Sequence, residues 1–386
     1  MQTPTRAKQE LVTLFLAGLG SVGFVLVRLF VAAKGDLSRF VVAGIRWTGP
    51  SNHFLHHFPN SGYDGQFYWR LAADPFNIHL APLFGIPIDH ALRDNRIFYP
   101  VVSWVFALGH PRWVSVGLVL ANIVALVALT YVAVRVCREI NRSPYWALVV
   151  LLVPGLVGSL SRDLTEIFSA LLVVAGLLAL RRQQFWLVAL AWSLASLTRE
   201  TNILAAVCLG VLSMFDIALR KRKISWQEVA WVVPGIVFIL WQVIAHQILG
   251  TFPLASSSGT GDLGWPFWGF LHGAGRWLPS LQLHVVAKCI LYSVETLVTA
   301  TLLVITVRRR ELFSPLERII ITAFSLLFIC ETQRGWQVPF DNRYATVPLV
   351  LIWFGFLRGS TTKELRRYLW IAPLVLVTVV WRLAVI

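Results

Sequence analysis

Asp64 stands in Gly62-Tyr63-Asp64-Gly65-Gln66-Phe67-Tyr68-Trp69-Arg70, an acid between glycines in an aromatic-rich stretch. A carboxylate placed this way can take a proton from an attacking hydroxyl, as a general base does. The glycines allow unusual backbone angles and close approach of a substrate. The competing reading is structural: Asp64 as an Asx-turn or N-cap residue opening a helix through Phe67–Ala73.

Three further patches mix acids with bases. Ser161-Arg162-Asp163-Leu164-Thr165-Glu166 opens an apolar run. Asp163 and Glu166 are three apart, share a helix face and suit the positive end of a helix dipole, whereas Arg162 is opposed by it. Thr198-Arg199-Glu200-Thr201 lies between two apolar runs with almost no loop, so Arg199 and Glu200 are expected as an internal ion pair or as a seat for an anionic ligand. Asp341-Asn342-Arg343-Tyr344 opens another run, and Arg343 has the forked donors that suit phosphate. Asp74, Asp89, Arg93, Asp94, Arg96, Glu331 and Arg334 complete this mixed-charge set. His53, His56, His57, Asp89 and His90 fit no compact metal motif, and no P-loop, Gly-x-Ser-x-Gly or dinucleotide fingerprint occurs.

The elements that must carry these residues are membrane helices. Of 386 residues, 57% are hydrophobic and only 14% charged. Mean hydropathy is +0.68, so the main solvent is lipid. Apolar runs of about 17–25 residues recur, the length that crosses a hydrocarbon core. The net charge of +15 sits in short clusters between those runs, as the positive-inside rule requires, which argues against a nucleic-acid partner. Cys137, Cys208, Cys289 and Cys330 lie in or beside apolar runs without metal spacing and read as small buried residues.

The fold class expected is all-α: a single polytopic transmembrane bundle over residues 1–386 with about eleven spans, N-terminus cytoplasmic and C-terminus outside. The first span, Leu11–Ala33, is read as uncleaved, and its Arg28 either snorkels or faces an anion at the outer mouth. Residues 34–112 form a long extracytoplasmic loop in which Ile97–Leu108, too short to cross, is re-entrant or interfacial. Tyr145–Leu160 is read as one outward span, and residues 250–280 as a second outer loop. Glu295 falls near the middle of a span, as a paired acid or part of a proton path. Mixed charges returning to one face from four parts of the chain predict a shared outer cavity.

With these patches in view, the chain resembles the GT-C superfamily of membrane glycosyltransferases. Tyr63-Asp64-Gly65 is similar to the Trp-Asp-Gly-type motif of the second GPI mannosyltransferase and its bacterial relatives, with Tyr63 in place of the Trp. Arg96-Ile97-Phe98-Tyr99-Pro100, Arg162-Asp163-Leu164-Thr165-Glu166 and Thr198-Arg199-Glu200-Thr201 are similar to further stretches of that group. No Asp-Asp or Asp-Glu pair follows Asp64.

The resemblance implies an inverting hexosyltransferase in the cytoplasmic membrane. It would move a sugar, in that family often mannose, from a polyprenyl-phosphate donor to a lipid or glycan acceptor on the extracytoplasmic face. Asp64 would be the base, with Arg199, Arg343 and Arg162 on the donor phosphate. Tyr63, Gly65, Gln66, Tyr68, Arg96, Tyr99, Asp163, Glu166 and Glu200 would support the site. The scheme requires no metal or other cofactor, and its partners are the lipid-linked donor, the acceptor and membrane lipids. The rival readings are a transporter or flippase of lipid-linked sugars or polysaccharide, and a non-catalytic envelope scaffold.

Overall fold

Long apolar runs become helices wherever a start signal precedes them. In the computed structural model, residues 4–256, 263–277, 300, 304, 307–331 and 343–384 are described. α1 (Pro4–Val31) begins on a proline, whose missing N–H costs nothing in the first turn. α4 is Val114–Glu139, α6 Glu166–Arg181, α7 Phe185–Thr198, α8 Ile203–Ala218 and α9 Val229–Leu249. Between α1 and α4 stand two short helices, α2 (Gly65–Ala73) and α3 (Phe98–Phe106), and between α4 and α6 stands α5 (Pro154–Arg162). α10 (Trp268–Trp277), α11 (Pro315–Ile329), α12 (Arg343–Gly359), α13 (Thr362–Tyr368) and α14 (Ala372–Ala384) follow among the described residues. α11 starts in a reciprocal box, Ser314 capping the Glu317 N–H and Glu317 returning to Ser314, with Pro315 in the first position.

The protein is thus helical and membrane-embedded. Four helices are long and apolar enough to cross a membrane, or five if one bent pair counts as a single span, among the described residues. α1 leaves Phe15 66% and Phe30 70% exposed, a surface suited to lipid rather than water. α6, α7, α11, α12 and α14 each have fewer than eighteen residues.

α7 packs between α6 and α9, α4 lies on α6, and α12 joins α6 to α11. Gly176 of α6 leaves room for the buried indole of Trp192 on α7, which donates to the Val173 carbonyl at 3.2 Å. Small residues of this kind set close helix approach in lipid.

Two expectations change. Tyr145–Leu160 is not one straight span: a 3-10 helix over Pro144–Leu151 meets α5 at a 67° bend, with Pro154 at the start of the second piece. A proline has no N–H to continue the first ladder, so the chain restarts there. Residues 34–112, expected as a loop, are a folded cap. All nine residues of α2 are buried, and a two-residue parallel pairing joins β1 (Ala43–Gly44) to β2 (His57–Phe58). Trp69 packs on Phe54 at 5.9 Å and Phe84 at 6.0 Å. Arg70 binds the carbonyls of Asn77, His79 and Ala81, closing the chain after α2. Most of the span expected around Glu295, with Cys289, lies outside the described residues, as do Arg334, Asp341 and parts of 250–280.

Candidate active site

Asp64 opens α2, and its carbonyl accepts the Phe67 and Tyr68 amides at 3.0 and 3.3 Å. Its carboxylate makes no capping bond, so the purely structural role expected of it is not filled by that side chain. The carboxylate meets Arg93 Nη1 at 2.7 Å instead and lies 3.8 Å from Arg96 Nη1.

Arg93 and Arg96 belong to a 3-10 helix, Ala91–Arg96. With three residues per turn, side chains three apart eclipse, so both guanidiniums point the same way, at Asp64. This helix is anchored to α9: Trp241 Nε1 donates to the Asp94 carbonyl at 3.1 Å, and Gln242 bonds Asn95. Ser256 Oγ accepts the Leu92 amide at 3.0 Å.

The charges then run as a chain. Asp89 takes Arg93 in a fork, 3.1 and 3.3 Å, and the guanidinium lies 4.7 Å from the Phe67 ring centre. Arg96 is forked on Glu200 at 3.0 and 2.7 Å and donates to Tyr68 Oη at 3.1 Å. Arg199 binds Glu166 at 2.6 Å and lies 4.4 Å over the Tyr344 ring. Arg162 lies 4.4 Å over the Tyr63 ring. Burial would lower the pKa of Arg93, but Asp64 and Asp89 outweigh it. For Arg96, Glu200 does the same, so both pKa values stand above that of an ordinary arginine and both side chains stay charged.

Beneath this chain the expected supporting residues hold the frame. Gln66 Oε1 accepts from the Gly44 amide at 3.1 Å and Thr48 Oγ1 at 3.3 Å, while its amide group donates to Ser61 at 3.1 Å. Tyr99 packs on Tyr68 at 5.8 Å, donates to the Leu118 carbonyl at 3.2 Å and accepts from Asn122 at 2.9 Å. Gly65 is needed for backbone approach: a Cβ there would sit 2.6 Å from the Val41 carbonyl oxygen and 2.7 Å from that of Arg162.

No family model, curated protein or solved structure matches this chain. The reading of the site therefore rests on its geometry.

Several expectations are corrected by that geometry. Asp163 and Glu166 do not share a helix face. Asp163 is the left-handed residue that ends α5 (φ 54°, ψ 55°), and Glu166 begins α6. Arg162 therefore occupies a helix C-terminus, where the dipole favours a cation, and the opposition expected of it disappears. Arg199 and Glu200 do not pair with each other; each pairs across to another segment, Glu166 and Arg96. Arg343 begins α12, next to the Tyr344 that lies under Arg199, and its side chain is outside the described residues. Arg93 and Asp89, which the chain of charges needs, were noted in sequence only as members of the mixed-charge set. Their four-residue spacing was the available signal.

Accessibility orders the cluster. Asp64 keeps 13% of its side chain exposed and Arg93 18%, whereas Arg96, Glu200, Arg199 and Glu166 each keep under 10%. The open edge is thus a carboxylate with a guanidinium beside it. Such an edge can accept a proton and neutralise an anion. Among the described residues, no three of His, Cys, Asp or Glu gather in a group able to hold a metal ion.

Proposed function

We propose that the protein is an inverting membrane glycosyltransferase of the GT-C type, moving a hexose from a polyprenyl-phosphate donor to a lipid or glycan acceptor. In this reading the bundle has about eleven spans and the Asp64 edge lies on the extracytoplasmic face of a cytoplasmic membrane. The observation that carries it is the position of Asp64: relieved of capping, partly open, and joined through Arg93 and Arg96 of one segment to Glu200 of another.

Asp64 takes the proton of the acceptor hydroxyl as that oxygen attacks the anomeric carbon. The bond from that carbon to the phosphate oxygen breaks, and its electron pair leaves with the lipid phosphate. The leaving phosphate needs charge stabilisation more than a proton. Arg93 is the cation nearest the open edge and is assigned that role first. Arg199 and Arg162, held by Glu166 and the Tyr63 ring, act from further inside, and Arg343 is retained by its position at the head of α12. One carboxylate suffices for inversion with an activated donor.

The test is Asp64→Asn in membranes given labelled polyprenyl-phosphate hexose. Transfer is expected to fall by about 10²-fold or more at normal protein abundance. Full activity would sink the proposal.

The second reading, a transporter of lipid-linked sugar, is favoured by the 67° break beside α5 and the buried Asp163 at its end, because transporters build their sites at broken helices. Vesicles carrying the protein decide between them: labelled donor crossing the bilayer with no glycosylated product formed supports transport.

A further inference from the structure

α6 runs from Glu166, beside the Asp64 cluster, to Arg181, about 22 Å away. At that far end most guanidiniums are taken. Arg181 and Arg358 share Glu317 at 2.7 and 3.0 Å, and Arg309 holds Glu364 at 2.8 Å and Glu311 at 2.5 Å. Arg142 donates to the carbonyls of Leu357 and Ser360. Arg310 and Arg318 have no such partner among the described residues.

Both line a cavity of about 570 Å³ that runs along α11 past Ile321, Ser325 and Ile329 to Phe267. Arg318 to Ile329 spans about 16 Å of helix, half of a hydrocarbon core. The hydroxyls on this face are spent on their own helix: Thr322 donates to the Arg318 carbonyl at 2.8 Å and Ser325 to that of Ile321 at 2.6 Å. The trough therefore offers apolar surface along its length and two charges at one end. Its wall faces outward, with Leu326 50% and Val307 75% exposed.

We infer that this trough holds one anionic phospholipid, its phosphate between Arg310 and Arg318 and an acyl chain along α11. Apolar length matched to one leaflet and a cationic pair at one end are what a lipid with a phosphate head complements. A free anion has no use for the trough, and a zwitterionic head offers the same phosphate but sets its own cation beside the two guanidiniums. The inference rests on membrane embedding and is independent of the transferase reading.

The test uses the full-length protein in detergent, with dioleoylphosphatidylglycerol and dioleoylphosphatidylcholine as probes and retained lipid counted by native mass spectrometry. Phosphatidylglycerol is expected to be retained about tenfold or more over phosphatidylcholine. The double variant Arg310→Gln/Arg318→Gln should abolish that preference. Leu326→Trp, which fills the trough while leaving both arginines, should reduce retention of phosphatidylglycerol. Arg308→Gln, an exposed neighbour outside the trough, should leave the preference intact. Equal retention of the two lipids, or a preference surviving in the double variant, overturns the inference. So does thermal stabilisation by inorganic phosphate equal to that by phosphatidylglycerol, which would reassign the arginines to a free anion.

Discussion

Gly65→Ala sets two physical effects against each other with opposite signs. Alanine is the better helix former, worth up to about 1 kcal/mol where nothing else intervenes. At Gly65, however, the new methyl would meet the carbonyl oxygens of Val41 and Arg162 at 2.6 and 2.7 Å, against ordinary contacts of 3.4–4 Å. Each must retreat by about 0.7 Å or more, and neither is the free end of a side chain. One belongs to the strand approach before β1, the other to the last residue of α5. Overpacking costs about 1–3 kcal/mol per site, so displacing two fixed segments outweighs the propensity gain and leaves a net loss of roughly 3 kcal/mol. The same displacement moves Asp64 relative to Arg93, so activity should fall with stability. The assay is the fraction of detergent-solubilised protein that stays monodisperse on size exclusion after heating across a temperature series. Gly20→Ala is the control: it lies within α1 and its added methyl meets nothing within 4 Å, so it should be neutral or slightly stabilising. A Gly65→Ala protein as heat-resistant as the Gly20→Ala control would refute the reasoning.

Asp94 is fully buried, and burial lifts its carboxyl from 3.8 to about 8 despite Arg70 nearby. The folded chain thus binds this proton more tightly than the unfolded one, so stability is expected to decline as pH rises from about 4 to about 8, by up to roughly 5 kcal/mol, and Asp94→Asn should flatten that slope in thermal melts. Arg96→Gln and Glu200→Gln should each cost about 3–5 kcal/mol by stranding a buried charge. In a double-mutant cycle the pair should cost at least about 2 kcal/mol less than the sum, and simple additivity would mean that the fork does not couple them. Arg93→Lys keeps the charge but cannot grip Asp89 and Asp64 together. On the proposed chemistry, KM for the lipid donor should rise about tenfold while protein abundance is unchanged, and an unaltered KM would remove Arg93 from the donor site.

Much of the helical frame is legible because apolar length and basic punctuation are local properties. α1 (Pro4–Val31) falls close to the expected first span Leu11–Ala33, and α3 (Phe98–Phe106) falls within the short apolar stretch Ile97–Leu108. Partner choice in the site is not local. Arg199 lies next to Glu200 in sequence but pairs with Glu166, since adjacent residues face different directions while distant segments converge. Asp163 could not be seen leaving the helix, because its left-handed angles come from the packing of the bend, in a residue type that only tolerates them. The eclipse of Arg93 with Arg96 needed a 3-10 rather than an α-helical turn, a distinction that six polar-rich residues do not signal.

Among the described residues, Asp64, Asp89, Glu166 and Glu200 pair with Arg93, Arg96 and Arg199, and Arg162 lies over the Tyr63 ring. A donor phosphate entering this cluster adds charge that must be met, and the cheapest response is to take a guanidinium already at the open edge. That guanidinium is Arg93, whose Nη1 holds Asp64 and whose fork holds Asp89. Asp89 can keep its grip through Nε and Nη2 while Nη1 turns from Asp64 to phosphate. On the proposed reading, the event that loads the donor therefore also loosens the base. A carboxylate clamped at 2.7 Å by Arg93 becomes available only when there is a leaving group to serve. This arrangement would disfavour idle proton transfer, and it explains why an acid read as a base is held so tightly by an arginine.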